Sequence, residues 1–210
     1  MNRTVFAAVT AMIVAVGGNF AATAGEYSGP GFSGIAWFGE NGAADQEIGH
    51  MYVDRAGFRM ETRQDDQHMA VLAYWDQETA YTLMLDQKMY MEVPAEQTGS
   101  TAADFDGKPC DGYENAKMVG PATVNGRATE KWRCTGELDP VPGEQPADST
   151  SWFDPELGFP VREVKDNGDA FEVRNIKVAR QDASLFEVPA GYQKLDINAI
   201  MQQMMQQQGQ

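Results

Sequence analysis

The chain has 210 residues, with 16 Lys and Arg against 31 Asp and Glu, a formal charge of −15. That balance repels phosphate backbones and anionic lipid surfaces, so nucleic acid is set aside as a partner. The acids are scattered rather than clustered, which reads as solubility, and 42% hydrophobic residues suffice for one domain with a real core.

The first residues read as an export signal. Arg3 supplies a positive start, Val5 to Val16 an apolar run too short to span a bilayer, and Ala22-Thr23-Ala24 a small-x-small cleavage site. Cleavage is expected after Ala24. Residues 25–210 would then carry a formal charge of −16, since the signal holds one Arg and no acid. Gly25, not a cysteine, stands directly after the cleavage site, so no lipid anchor is expected, and no other apolar run approaches the length of a membrane helix. The expected location is the periplasm, as a soluble protein and not an integral membrane protein.

Next, Gly29-x-Gly31-x-x-Gly34 meets the dinucleotide-binding pattern in letters only. No strand precedes it, no helix start follows it, and Pro30 sits inside it, so the expectation is a flexible lead into a strand around Phe32–Phe38. Glu40-Asn41-Gly42 reads as a turn into a second strand near Glu47–Val53.

The stretch from Ile48 to Val93 organises the rest. Phe58 and Met60 alternate with Arg59, Glu61 and Arg63; Met69, Val71, Ala73 and Trp75 line one side of Gln67–Trp75; Tyr81, Leu83 and Leu85 share a side of Thr79–Leu85; and Met89, Met91 and Val93 oppose Lys88, Tyr90 and Glu92. The intervening turns are short and polar, which suits an antiparallel meander.

Ala95–Lys108 is a small-residue loop. Asp104, Asp106, Asp111 and Glu114 lack EF-hand spacing, because Lys108 stands at the fifth position, so a solvated acidic loop is the reading. Asn125-Gly126 and Asn167-Gly168 mark hairpins, and Asp139–Pro146 is an insertion loop. Cys110 and Cys134 are the only cysteines. In an oxidising compartment they read most simply as one disulfide; a redox pair or thiolate metal site is disfavoured by their wide separation and the lack of C-x-x-C. From Asp196 the period changes: Ile197, Ile200, Met201 and Met204 form one stripe of a short helix over 196–207, expected to dock as a lid.

The expected fold is mainly β: a strongly curved, unclosed antiparallel sheet of about ten strands with a short C-terminal helix, forming a single domain over 25–210. Its concave face is expected to carry Phe58, Met60, Met69, Val71, Ala73, Trp75, Leu83, Met89 and Met91 as a ligand-binding surface. No G-x-S-x-G elbow, phosphate loop or H-E-x-x-H motif occurs, so neither an enzyme nor a cofactor is expected.

The segments Met51–Met60, Met84–Glu92, Asn125–Trp132, Trp152–Arg162 and Leu185–Tyr192 resemble those of an uncharacterised domain family of exported bacterial proteins. That family is similar in fold to the periplasmic carriers of outer-membrane lipoproteins, LolA-like half-barrels that wrap an apolar cavity under helices. The resemblance implies this fold and a role in holding a lipid-like ligand, an apolar small molecule or acyl chain. One departure is the absence of an amphipathic helix between Gly25 and the first strand. Two alternatives stand beside it. One is a structural or interaction protein of the cell envelope whose sheet is filled by its own side chains. The other, more distant, is copper held by His50, Met51, His68, Met69, Met84, Met89 and Met91, all soft or borderline ligands.

Overall fold

The computed structural model describes residues 27–64, 67–75, 79–94, 107–137 and 146–195. They form β1 (Phe32–Gly39), β2 (Gln46–Asp54), β3 (Gly57–Gln64), β4 (Gln67–Ala73), β5 (Thr79–Met84), β6 (Met89–Pro94), β7 (Tyr113–Val124), β8 (Arg127–Glu137), β9 (Ser149–Asp154), β10 (Phe159–Lys165), β11 (Ala170–Val178) and β12 (Gln193–Lys194), with a 3-10 turn at Ala183–Phe186. All twelve strands belong to one sheet, against about ten expected. One that no periodicity announces is β12, two residues that pair with the edge of β6. The expected C-terminal helix lies outside the described residues.

The strand order β12-β6-β5-β4-β3-β2-β1-β11-β10-β9-β8-β7 is two antiparallel meanders joined back to back. β1 runs outward to β6; β7 runs inward to β11, which pairs with β1. β6 and β7 follow one another in the chain yet lie near opposite ends of an unclosed sheet. The hairpins obey the local turn chemistry. Asn41 and Gly42 have φ of 58° and 79°, and Asn125 and Gly126 have 50° and 82°, the positive angles that twist-matched tight turns require. Register irregularities between Ala36 and Trp37, Met118 and Gly120, and Pro160 and Arg162 mark bulges that bend the strands. The last also explains how Pro160, which has no N–H, is accommodated in the interior strand β10.

One face of the sheet carries the main core. Phe32, Met51, Val53, Phe58, Ala73 and Ala80 from the first meander meet Phe159, Val161, Phe171 and Val173 from the second. The residues before β1 belong to this core and are not the flexible lead the glycines suggested. Tyr27 is fully buried, stacks on Trp75 with ring centroids 5.4 Å apart, and places its hydroxyl 2.7 Å from the carbonyl of Leu157. A Cβ at Gly29 would lie 2.2 Å from that same carbonyl, and one at Gly31 2.3 Å from Asp54 Oδ2. The spaced glycines are therefore places where the backbone is clamped against its neighbours.

The opposite, back face is covered over β3–β6 by the segment after β11. Ala70, Leu72 and Leu83 pack there with Tyr81, Tyr90, Val188 and Tyr192. The segment is pinned by Arg59 Nη1 donating to Leu185 O at 2.9 Å, Tyr74 donating to Phe186 O at 2.6 Å, and the backbone of β12 bonding to Lys88 and Tyr90 carbonyls. β7, at the far end, pairs with β8 alone among the described residues and leaves Met118 and Val119 exposed.

Cys110 and Cys134 are bonded, as the compartment argument required, with Cα atoms 5.2 Å apart. The bridge ties the approach to β7 onto β8 and closes a loop with a sequence separation of 24. Replacing both cysteines with serine is expected to lower stability by about 3 kcal/mol, read from denaturant unfolding. A thiol assay on denatured, unreduced protein should find none; two reactive thiols would contradict the bridge.

Candidate functional site

The expected binding face is assembled by cross-strand register. Reading across β2 to β6, Val53, Phe58, Ala73, Ala80 and Val93 form one row, and Met51, Met60, Val71, Thr82 and Met91 a second. Thr62, Met69, Met84 and Met89 make a third across β3 to β6. Burial changes along the rows. Phe58, Ala73 and Ala80 are closed off in the core, whereas Thr62, Met69, Met84, Met89, Thr82 and Met91 are only half-buried. The core face therefore runs without a break into a half-buried floor made mostly of thioethers. Such side chains are unbranched and polarisable, and adapt to apolar shapes that a rigid surface rejects.

Of the expected ligand-binding residues, Phe58, Met60, Val71, Ala73 and Trp75 are buried on this face, and Met69, Met89 and Met91 are half-buried on it. Trp75 also donates through Nε1 to Asp54 O at 2.7 Å. Leu83 must be corrected: it pairs with Ala70 and Tyr90 on the back face and is fully buried there. Its alternate, Met84, takes its place among the methionines. The error has a physical cause, because the strap after β11 makes the back face of β5 as apolar as the core face. The lid residues Ile197, Ile200, Met201 and Met204 lie outside the described residues.

The histidines do not join the methionines. His50 faces Glu61 across β2–β3, and His68 faces Arg63, all on the back face. Copper held by histidine and methionine together is not an arrangement this sheet assembles.

Toward β7 the core face turns polar. Tyr113 donates to Glu163 Oε1 at 2.8 Å, and Lys165 Nζ lies 2.6 Å from Glu137 Oε1, both pairs beside Cys134 and Ser149. Burial pushes the Glu163 carboxyl above the usual carboxylate range, against the pull of the Tyr113 hydrogen bond and the Lys165 charge. Burial and the neighbouring Glu163 likewise push the Tyr113 hydroxyl up. On the back face the balance goes the other way. Burial alone would raise Glu172, but hydrogen bonds from Arg174 and Asn125 and the charge of Arg162 hold it below the usual range. Glu163, Lys165 and Glu172 are buried, and these contacts tie neighbouring strands together.

A separate cleft of about 580 Å³ opens at the β2–β3 turn, bounded by Gly29–Gly31, Asp54–Ala56, Val178–Gln181 and Phe186. None of the expected binding residues lines it. Nothing in composition or periodicity pointed to it, since its walls come from two turns and the chain before β1.

No family model and no curated protein matches the chain. Among solved structures, an uncharacterised conserved protein from Thermus thermophilus aligns over 90% of this chain and 98% of its own, at 11% identity and a TM-score of 0.52. The shared property is the fold, an open, curved antiparallel sheet. PNGF-II aligns over 82% of this chain and 32% of its own, at 11% identity and a TM-score of 0.46. MucB aligns over 80% and 60%, at 13% identity and 0.39. At those scores the likeness carries no function across. Among the described residues no helix is long and apolar enough to cross a membrane.

The raised Glu163 carboxyl has a consequence for stability. A carboxyl whose folded value lies above its ordinary 4.5 contributes stability that is fully present below that value and is lost as pH rises through the folded value. Wild type should therefore gain stability relative to Glu163→Gln as the pH falls from neutral toward about 4.5. Parallel stability curves for the two proteins in urea would show that Glu163 titrates normally.

Proposed function

We propose that this protein is an exported binding or carrier module of the cell envelope that accepts an apolar group, such as an acyl chain, on its methionine floor. The observation that carries the reading is the row Thr62, Met69, Met84 and Met89, half-buried and continuous with a closed hydrophobic core. A face with no binding role would be expected to close over these side chains as it does over Phe58 and Ala80, because exposed apolar area costs about 25 cal/mol for each Å². The export signal read at residues 1–24 and the Cys110–Cys134 bridge support an oxidising compartment.

The reading of a self-filled sheet accounts for part of the same face. Around β1, β10 and β11, Phe32, Phe159, Val161 and Val173 fill the interior, with Phe32 and Phe159 edge to face at 5.3 Å. The proposal places ligand on β3–β6 alone.

Lipid released from the natively exported protein and identified by mass spectrometry would name the class of ligand. Met69→Asp and Met84→Asp should each weaken uptake of a fluorescent fatty acid at least about tenfold, because an unpaired carboxylate in an apolar site is costly. Ala128→Asp, at an exposed position on β8, should leave uptake unchanged. Equal uptake by all three variants would remove the methionine floor as the site.

A further inference from the structure

The arginines of this acidic chain are mostly spoken for. Arg59 pairs with Glu61, Arg127 with Asp154 and Glu156, Arg133 with Asp148 and Asp166, and Arg162 and Arg174 with Glu172. The guanidinium groups of Arg55 and Arg180 have no hydrogen-bond or ion-pair partner among the described residues, and both residues line the cleft of about 580 Å³ at the β2–β3 turn. They come from different walls: Arg55 from the turn between β2 and β3, Arg180 from the chain leaving β11. The walls are held at a fixed separation by Asp54, whose Oδ1 accepts from Arg55 N at 2.7 Å and whose Oδ2 accepts from Gln181 N at 2.8 Å. Both carboxylate oxygens are thus engaged by backbone amides, and the two guanidinium groups outnumber that single negative charge. Val178 and Phe186 add apolar surface.

From this geometry we infer that the cleft is a second binding site, for a small organic anion whose carboxylate or phosphate group is held between Arg55 and Arg180 while its apolar body rests near Val178 and Phe186. Guanidinium groups match both oxyanions through paired N–H donors, and two arginines lining one cleft bring to it positive charge that no described carboxylate pairs with. The volume suits a small ligand rather than a peptide segment. The site lies apart from the methionine floor, and its occupancy does not depend on the role proposed for that floor.

The test uses the intact mature protein with phenyl phosphate, benzoate and neutral benzyl alcohol as probes. Binding is read by calorimetry and by NMR shifts of the arginine Nε–Hε signals. At least one of the two anions should bind and shift the Arg55 and Arg180 signals, the tighter of them deciding between phosphate and carboxylate. Arg55→Gln and Arg180→Gln should each weaken that binding about tenfold. Ala183→Trp, which fills the cleft without removing charge, should block it. Lys117→Gln, at an exposed position on β7, should have no effect. The inference is overturned if neither anion shifts the two arginines, if benzyl alcohol binds as well as the anions, or if Lys117→Gln weakens binding as much as the arginine variants.

Discussion

The antiparallel seam between β1 and β11 makes one molecule of two meanders. Every other antiparallel pairing in the sheet joins strands that follow each other in the chain, so it is set by local turns and needs little chain to be brought together. The seam joins Phe32 to Val178 and Gly39 to Ala170 across most of the sequence. Its closure entropy has to be offset by burial, and the residues at the seam do this: Phe32, Ala36, Phe171 and Val173 are all in the core, where Phe159 and Met51 flank them. Tyr27 and Leu157 extend the same junction, one from each meander, joined by a single hydroxyl-to-carbonyl bond. The tight fit at Gly29 and Gly31 is the local cost of bringing these distant segments so close.

Most of the strands were legible because their turns were. Asn41-Gly42 and Asn125-Gly126 specify positive φ, and the alternation on either side of them locates the strands to within a few residues. What the alternation did not disclose is which side of a strand faces the core when both sides are apolar. In β5 and the residue after it the sequence offers Tyr81, Leu83 and Leu85 on one side and Ala80, Thr82 and Met84 on the other. By hydrophobicity alone the first set wins, yet it faces the strap. Only register with β4 settles the matter, through Val71 opposite Thr82 and Met69 opposite Met84. A segment more than a hundred residues downstream thus determined how the pattern should be read, which no window-based argument can see.

The same distinction separates the two candidate sites. The methionine floor was visible in outline, since Met69, Met89 and Met91 lie in strands with clear periodicity. The arginine-lined cleft was not, because Arg55 and Arg180 stand in connections and are brought together only when β2, β3 and β11 take their places in one sheet. Sites on periodic elements leave a trace in the sequence; sites made by connections leave one only in three dimensions.

An unclosed sheet has ends, and β7, at one of them, has no second strand beside it among the described residues. Along this strand the backbone offers hydrogen-bonding groups on the side away from β8, with Met118 and Val119 displayed beside them. Such an edge invites another chain to add itself. The strand is interrupted at the middle, where the register slips between Met118 and Gly120 and Pro121 withholds its N–H. Lys117 places a charge just before the exposed pair. No long uninterrupted ladder is therefore presented, and a second molecule approaching edge to edge would meet a kink, a missing donor and a like charge. An unclosed sheet of this kind thus carries, in its own edge strand, the features that discourage growth by strand addition.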